Sequence, residues 1–480
     1  MKIDFKLQPA DLSDAAARVM TLAARKSKSL DKSWDRGRGT PVFTVGGEYT
    51  TRGWTEWTQG FQYGLMILAG DALGDDRLVQ LGKKRTLENM LAHVTHIGVH
   101  DHGFNSLSTY GNLLRLWHEG RLSNDEHERL VYENAIAASG AVQASRWQGT
   151  PPVKSRYTAD SSALGYIYSF NGPHSLFIDT MRTTRILSTA WQLGHALMHE
   201  GDRRADLLKR SVLHGLTTSH YIVFHGSPQD SHEAKTVPHA QGPYNVRGRT
   251  AHEGLFNRND GAFRARSTQQ GYSPFSTWTR GLSWAMCGYA EELEFFKTIS
   301  AGEFKKSVGL AKADVMQVYE RCAIDTCDHY LEDVSTRDGV TYWDDGAPGL
   351  AKMEGWRERD ADPYNEHEPV DASASAIAAQ GLIRLGNYLG GRRGKKYLQA
   401  GLTVARTLFD EPYLSTKVKH QGLLLHSVYH WPNGWDHVPT GSAIPHSESS
   451  LWGDYHLAEL ALLIGRMADG SAYPTFFVDR

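Results

Sequence analysis

Helical periodicity recurs along almost the whole chain, and each run is broken by a polar, glycine-rich interruption. Apolar residues spaced like one face of a helix fill residues 60–69, 78–95, 105–119, 126–146, 175–199, 203–221, 277–296, 312–331, 373–389, 396–409 and 451–467, and the stretch 15–24 near the N-terminus has the same spacing. That makes about twelve helices. Several carry small residues, such as Ala135, Ala137, Ala138 and Gly140, or Ala372, Ala374, Ala376, Ala378 and Ala379, which let neighbouring helices approach closely. No period of roughly 20–50 residues is legible, so an open solenoid of regular repeats is disfavoured. Helices in this number, with no regular strand pattern, point to an all-α, single-domain (α/α)6 toroid. Six inner helices would be ringed by six outer ones, with loops meeting at one mouth. A less symmetric helical bundle is the alternative. One segment breaks the pattern. Residues 224–272 are dense in Gly, His, Asn, Gln and Pro and far longer than a usual connection, so a loop insertion lining the mouth is expected there, with a short hairpin around 254–265.

The 480 residues are 40% hydrophobic and 22% charged, with a net charge of -2, an ordinary globular balance able to bury a large core. A near-neutral chain lacks the basic face by which nucleic acids and anionic membranes are held, so a small, local substrate is the expected partner and neither of those is. No stretch approaches the roughly 18 apolar residues that suggest a membrane span. Residues 1–28 hold no continuous apolar run, so no signal peptide is read there; a cytoplasmic home is expected, or a periplasmic one if an export signal has been removed. The cysteines Cys287, Cys322 and Cys327 are odd in number and lack metal-ligand spacing, which argues against a disulfide framework. The 13 Trp and 21 Tyr offer flat apolar faces with polar edges, suited to stacking on sugar rings, although large helical proteins also bury many Trp.

Four clusters concentrate chemistry. Trp54-Thr55-Glu56-Trp57-Thr58-Gln59-Gly60-Phe61 is aromatic and glycine-rich just before a helix. His100-Asp101-His102-Gly103-Phe104 sets a carboxylate between two imidazoles; no second ligand pair accompanies it, so neither metal nor cofactor is expected. Leu176-Phe177-Ile178-Asp179-Thr180-Met181 places an acid inside an apolar helix start. Desolvation there would raise the Asp179 pKa toward that of a proton donor. An Asp at such a place also commonly bonds backbone amides at a helix terminus, and the residues alone leave both readings open. The fourth cluster runs from Gln269 to Ala285, where a helix starting near Thr277 puts Arg280 and Trp284 on one face. A cation beside aromatic rings suits a uronic acid, and an Arg packed on Trp can equally be structural.

Taken together these residues resemble the unsaturated glucuronyl hydrolases, glycoside hydrolase family 88. The resemblance is carried by the run Trp57 to Phe61, by His-Asp-x-Gly-Phe at Asp101, by Ile-Asp-Thr-Met at Asp179, and by Gln-Gly-Tyr-Ser followed by Ser-Thr-Trp-x-Arg-Gly-x-x-Trp between Gln270 and Trp284. It continues through the alanine- and serine-rich run after Asp371 and through Glu448-Ser449-Ser450-Leu451-Trp452-Gly453-Asp454-Tyr455, in the same order over roughly residues 50–460. It implies an (α/α)6 barrel. The implied reaction removes a 4,5-unsaturated uronic acid from the non-reducing end of lyase products by hydrating the C4=C5 double bond. Carried over by motif, Asp179 is the general acid and base, and Asp101 is a second acid that holds ring hydroxyls. Trp57, Trp278 and Trp284 are then ring-stacking residues, Gln270 and Arg280 polar substrate contacts, and His252, by its position upstream of Gln270, a further contact.

Two departures stand out. His102 occupies a place where the family commonly has an aliphatic residue, which would add a titratable group beside Asp101. Residues 225–249 look like an insertion that would reshape the wall around the leaving sugar. Rival readings are an unsaturated rhamnogalacturonyl hydrolase, against which Ile-Asp-Thr-Met speaks; an inverting glycosidase or sugar epimerase on the same fold; and a non-catalytic carbohydrate-binding toroid.

Overall fold

In the computed structural model, which describes residues 1–53, 56–123, 125–155, 158–226 and 245–475, twelve long helices can be counted among the described residues. They are α1 (Ser13–Ser33), α2 (Gln59–Leu73), α3 (Asp76–Asn89), α4 (His102–Ser106, a π-turn at Leu107–Gly111, then Asn112–His118), α5 (Glu126–Ser145) and α6 (Thr180–Thr183 and Arg185–Gln192). The second half holds α7 (Leu207–Tyr221), α8 (Thr279–Lys297), α9 (Lys312–His329), α10 (Ala372–Leu389), α11 (Gly391–Leu408) and α12 (Leu451–Ala468). The even-numbered helices are inner and the odd-numbered ones outer. α10 is buried at every position from Ala372 to Gly386 and α12 from Leu451 to Ile464, whereas α3 buries only the stripe Leu78, Val79, Gly82 and Thr86. A helix apolar all round must sit inside, and one with a single stripe must cover it. The inner helices touch in the cyclic order α2, α4, α6, α8, α10, α12 and back to α2, closing the (α/α)6 toroid.

Glycine at the crossings sets how tightly the ring closes. A Cβ on Gly103 of α4 would collide with the backbone of Thr183 in α6, and one on Gly288 of α8 with that of Met181. Ions fill the axis below: Arg182 of α6 pairs with Glu291 of α8 at 3.0 Å and with Glu459 of α12 at 2.9 Å, all three buried. Among the described residues no helix is long and apolar enough to cross a membrane.

The strands of the described residues are few and short and form no regular pattern, in keeping with the sequence. Among the described residues four small antiparallel sheets decorate the ring: β1 (Pro41–Val45) with β2 (Glu48–Thr51), β3 (Trp147–Ser155) with β4 (Thr158–Ile167), β6 (Leu197–Met198) with β7 (Arg204–Ala205), and a three-stranded sheet in the order β5 (Ser175–Phe177), β8 (Glu253–Phe256), β9 (Phe263–Ser267). The expected helix over 175–199 is really β5, α6 and β6, because a short buried run such as Ser175–Phe177 has no period that separates strand from helix. The hairpin expected around 254–265 is β8 and β9. Of the insertion, residues 227–244 lie outside the described residues; its two ends dock on α9, where the Asp325 carboxylate contacts Arg247 at 2.6 Å and His225 at 3.2 Å.

Candidate active site

Each inner helix begins at the same end of the ring, and the residue before its first turn decides what faces the opening. Asp371 and Ser450 cap α10 and α12 in the usual way, accepting backbone N–H groups from Ser373 and Gly453 at 3.1 Å. Asp101 and Asp179 hold the equivalent places before α4 and α6 and make no capping bond. Both carboxyls line a cavity of about 450 Å³ instead. Burial pushes Asp179 up to about 7, with the Arg280 guanidinium acting in the opposite direction. Burial, and then the Asp179 carboxyl, push Asp101 up to about 8. Two buried acids that resist ionising together titrate as a pair.

The strand pairing of β5 with β8 brings His252 behind Asp179. The Ile178 N–H donates to His252 O at 3.0 Å, and His252 Nε2 stands 4.0 Å from Asp179 Oδ2. His252 Nδ1 accepts the backbone N–H of Gln269 at 3.0 Å and of Gln270 at 3.2 Å, which puts the ring proton on Nε2, facing the acid. Burial holds this ring neutral, its pKa pushed down to about 3. His252 therefore lies in the wall behind the acid and outside the cavity lining. On the other side, His100 Nδ1 bonds Thr180 Oγ1 at 2.6 Å and its Nε2 is 3.7 Å from Asp101 Oδ1.

Trp57, Gln270, Trp278, Arg280 and Trp284 all line the cavity. Trp284 is its buried floor, packed on Phe104 with ring centroids 4.7 Å apart. Trp57 stacks on Trp452 at 5.0 Å. Arg280 differs from the sequence expectation of a direct carboxylate ligand. Its Nη1 donates to Asp371 Oδ2 at 2.7 Å and to Val428 O, and its Nη2 donates to Gln270 Oε1 and Tyr429 O, each at 2.8 Å. With its terminal donors taken inside the protein, Arg280 fixes the Gln270 amide so that Nε2 is left to donate, and it brings positive charge near Asp179. His102 also departs from expectation. Its Nε2 bonds His96 O at 3.0 Å and burial pushes its pKa down to about 4, so it adds no charge beside Asp101 at neutral pH. Among the described residues no group of three or more His, Cys, Asp or Glu is placed to hold a metal ion.

Sequence reasoning missed one wall of the cavity, formed by Tyr429, His430, Asn433 and Trp435 between α11 and α12. Asp436 holds it by accepting the N–H groups of Tyr429 at 2.5 Å and His430 at 2.8 Å. The signal was present: Trp431-Pro432-Asn433-Gly434-Trp435 is an aromatic, turn-forming run between helices, of the kind that presents rings at a site. Glu56 and Phe170 also line the cavity without having been singled out as site residues.

No family model matches the chain. Among curated proteins it is 25% identical over 407 residues to an unsaturated glucuronyl hydrolase of Formosa agariphila, covering 84% of this chain and 78% of that one. It is 25% identical over 427 residues to an unsaturated glucuronyl hydrolase of Bacillus sp. strain GL1, covering 87% of this chain and 89% of that one. The crystal structure of an unsaturated glucuronyl hydrolase from Bacillus sp. GL1 superposes with a TM-score of 0.64 at 21% identity, over 96% of this chain and 97% of that chain. The resemblance read from the motifs thus extends over most of the chain, and the toroid is the fold of the solved relative.

Proposed function

We propose that this chain is an unsaturated glucuronyl hydrolase, a glycosidase that removes a 4,5-unsaturated uronic acid from the non-reducing end of lyase-generated oligosaccharides. The observation that carries the reading is the pair of uncapped, buried acids, Asp101 and Asp179, facing an aromatic cavity. A carboxyl whose pKa is about 7 can hold a proton near neutral pH and still give it up. Such a group suits an enol ether, which needs protonation at C4 and water at the adjacent C5.

In this reading the unsaturated ring enters the closed end, against Trp278 and Trp284. The Gln270 Nε2 and the Asp101 carboxyl hold its polar groups. Asp179 delivers its proton to C4, and the positive charge that develops at C5 and the ring oxygen is stabilised by the carboxylate just formed. Water adds to C5 as Asp179 recovers a proton from it. The product is a hemiketal at C5. Breaking its C5–O5 bond leaves a ketone at C5 and a hemiacetal at C1, whose collapse to an aldehyde releases the remaining sugar with its hydroxyl restored. One carboxyl serves as acid and then as base because both transfers occur at neighbouring carbons, so the carboxylate-separation rule of ordinary glycosidases does not apply.

The test is loss of the ultraviolet absorbance of the conjugated double bond across a panel of lyase-generated disaccharides, with no metal or cofactor added. Turnover is expected. Turnover of a saturated glucuronide at a comparable rate, with the unsaturated panel inert, would replace this reading by a conventional glycosidase. Activity abolished by a chelator and restored by a metal would require a metal in the mechanism.

A further inference from the structure

Arg52 follows the last residue of β2 and stands at the rim of the cavity. Its guanidinium carbon lies 4.7 Å from the centroid of the Trp435 ring and 5.2 Å from that of Phe43. Trp435 lines the cavity and packs in turn on His430 at 4.9 Å and Tyr429 at 5.3 Å. Some exposed arginines on this protein find an acid, as Arg337 does with Asp360 and Arg406 with Asp4, both at 2.7 Å; Arg38, which lies over Trp34 at 5.1 Å, forms no ion pair among the described residues, but it stands away from the cavity. Arg52 is exposed and, among the described residues, its guanidinium makes no hydrogen bond and no ion pair within 4.0 Å. It is a cation held in place by aromatic faces, with its N–H edges turned to no acceptor among the described residues. Such a group is preorganised for a planar or tetrahedral oxyanion.

Its position tells which part of a substrate it would meet. The acids and Trp284 are buried at the closed end of the cavity, whereas Trp435 is 39% exposed and Phe170 is 56% exposed at the open end. The reacting ring belongs with the acids, so the sugar released belongs at the rim, between these exposed rings. Among the described residues the one arginine or lysine lining the cavity is Arg280, and its terminal nitrogens are consumed by Asp371, Gln270 and two carbonyls. Glu56, whose pKa burial raises and the Arg52 charge lowers, is the acid that Arg52 sits near; it would repel an anionic sugar unless a cation stood beside it. Building on the reaction proposed above, we propose that Arg52, seated on Trp435, is a specificity-determining residue that recognises an anionic group, a sulfate ester or a carboxylate, on the leaving sugar.

The experiment compares unsaturated disaccharides that share a linkage and differ in the leaving sugar: neutral, sulfated, or carrying a carboxylate. Wild type, Arg52→Gln and Arg52→Lys are assayed by loss of the double-bond absorbance. Arg52→Gln is expected to lower kcat/KM about tenfold for at least one of the two anionic substrates, chiefly through KM, and to leave the neutral one within about twofold. Which of the two anionic arms falls identifies the group recognised. Arg52→Lys is expected to restore part of the loss, and raising salt to about 0.5 M should erode the anionic preference of the wild type and of Arg52→Lys but change Arg52→Gln little. Equal losses on neutral and anionic substrates, or none on any, would overturn the inference. The same disaccharides are titrated calorimetrically onto Asp179→Asn with and without Arg52→Gln. If the wild type turns over nothing but anionic binding still depends on Arg52, the reaction fails and the Arg52 site stands; if binding ignores Arg52, the site fails.

Discussion

Asp371 and Asp179 are the same residue type at the same place before an inner helix, and one caps its helix while the other does not. Leaving a buried carboxyl of this kind without its usual backbone partners costs stability, and the sign follows from its pKa, about 7 in the fold against an ordinary 3.8. A folded state that holds the proton more tightly is stabilised below the unfolded pKa and loses that stability as pH rises toward 7. Asp179→Asn should therefore be more stable than wild type by up to about 4 kcal/mol at pH 8, with the difference fading toward pH 4. Its turnover should fall by at least about 10²- to 10⁴-fold. Denaturant unfolding at two pH values, with one rate assay, checks both. A variant retaining more than about a tenth of wild-type activity would remove Asp179 from proton transfer. If protonated Asp179 is the acid, wild-type activity declines as pH rises through about 7. Because the Arg280 charge lowers that pKa, Arg280→Met should move the alkaline limb to higher pH and also raise KM by releasing Gln270. An unmoved limb would mean that another group sets it.

At the scale of elements, the twelve helices were legible because the outer ones bury a stripe at period 3.6 and the inner ones are apolar runs too long for a strand. The acids were legible through their neighbours in sequence. What was not legible depends on partners far apart in the chain. Ser175–Phe177 is a strand only because Glu253–Phe256 pairs with it, and that pairing alone carries His252 to Asp179. The β3–β4 hairpin was hidden by Pro151 and Pro152, where the register shifts between Gly149 and Pro152 and a proline can be accommodated. Arg280 was read by its residue type and not by its competitors, because nothing local announces that Asp371 and the carbonyls of Val428 and Tyr429 will reach it first. The insertion 225–249 contains none of the motif residues, and its last side chain ties it to the loop of Gln270, since Arg249 Nη1 donates to Phe275 O at 2.8 Å. Shortening it between residues 227 and 244 should reorder preference among leaving sugars while leaving kcat on the best substrate within about threefold. A uniform loss on every substrate from a folded variant would place the segment in the catalytic machinery.

For the whole molecule, the ring turns the N-terminal ends of its six inner helices toward one mouth, so their partial positive charges face a cavity whose own side chains are largely acidic or neutral. With Arg280, whose guanidinium acts on Asp179, these helix ends set a positive field at the closed end, one that suits an anionic ring. The opposite side of the same design is the buried ion axis beneath the floor, where Arg182 lies 5.8 Å from the Trp284 ring and bridges Glu291 and Glu459. Neighbouring arginines hold the Glu459 carboxyl well below the usual range despite its burial. The stability it supplies is present above its ordinary pKa of about 4.5 and is lost as pH falls toward the folded value. Replacing Arg182 by Met keeps the volume and leaves two carboxylates facing each other without that counter-charge, which should cost about 3–5 kcal/mol at neutral pH. The loss should shrink when Glu459→Gln is added, since one of the stranded charges is then gone. Denaturant unfolding of the single and double variants at pH 7 measures both steps. If Arg182→Met unfolds at the wild-type midpoint, the axis is not what joins α6 to α8 and α12, and the glycine crossings hold the ring by themselves.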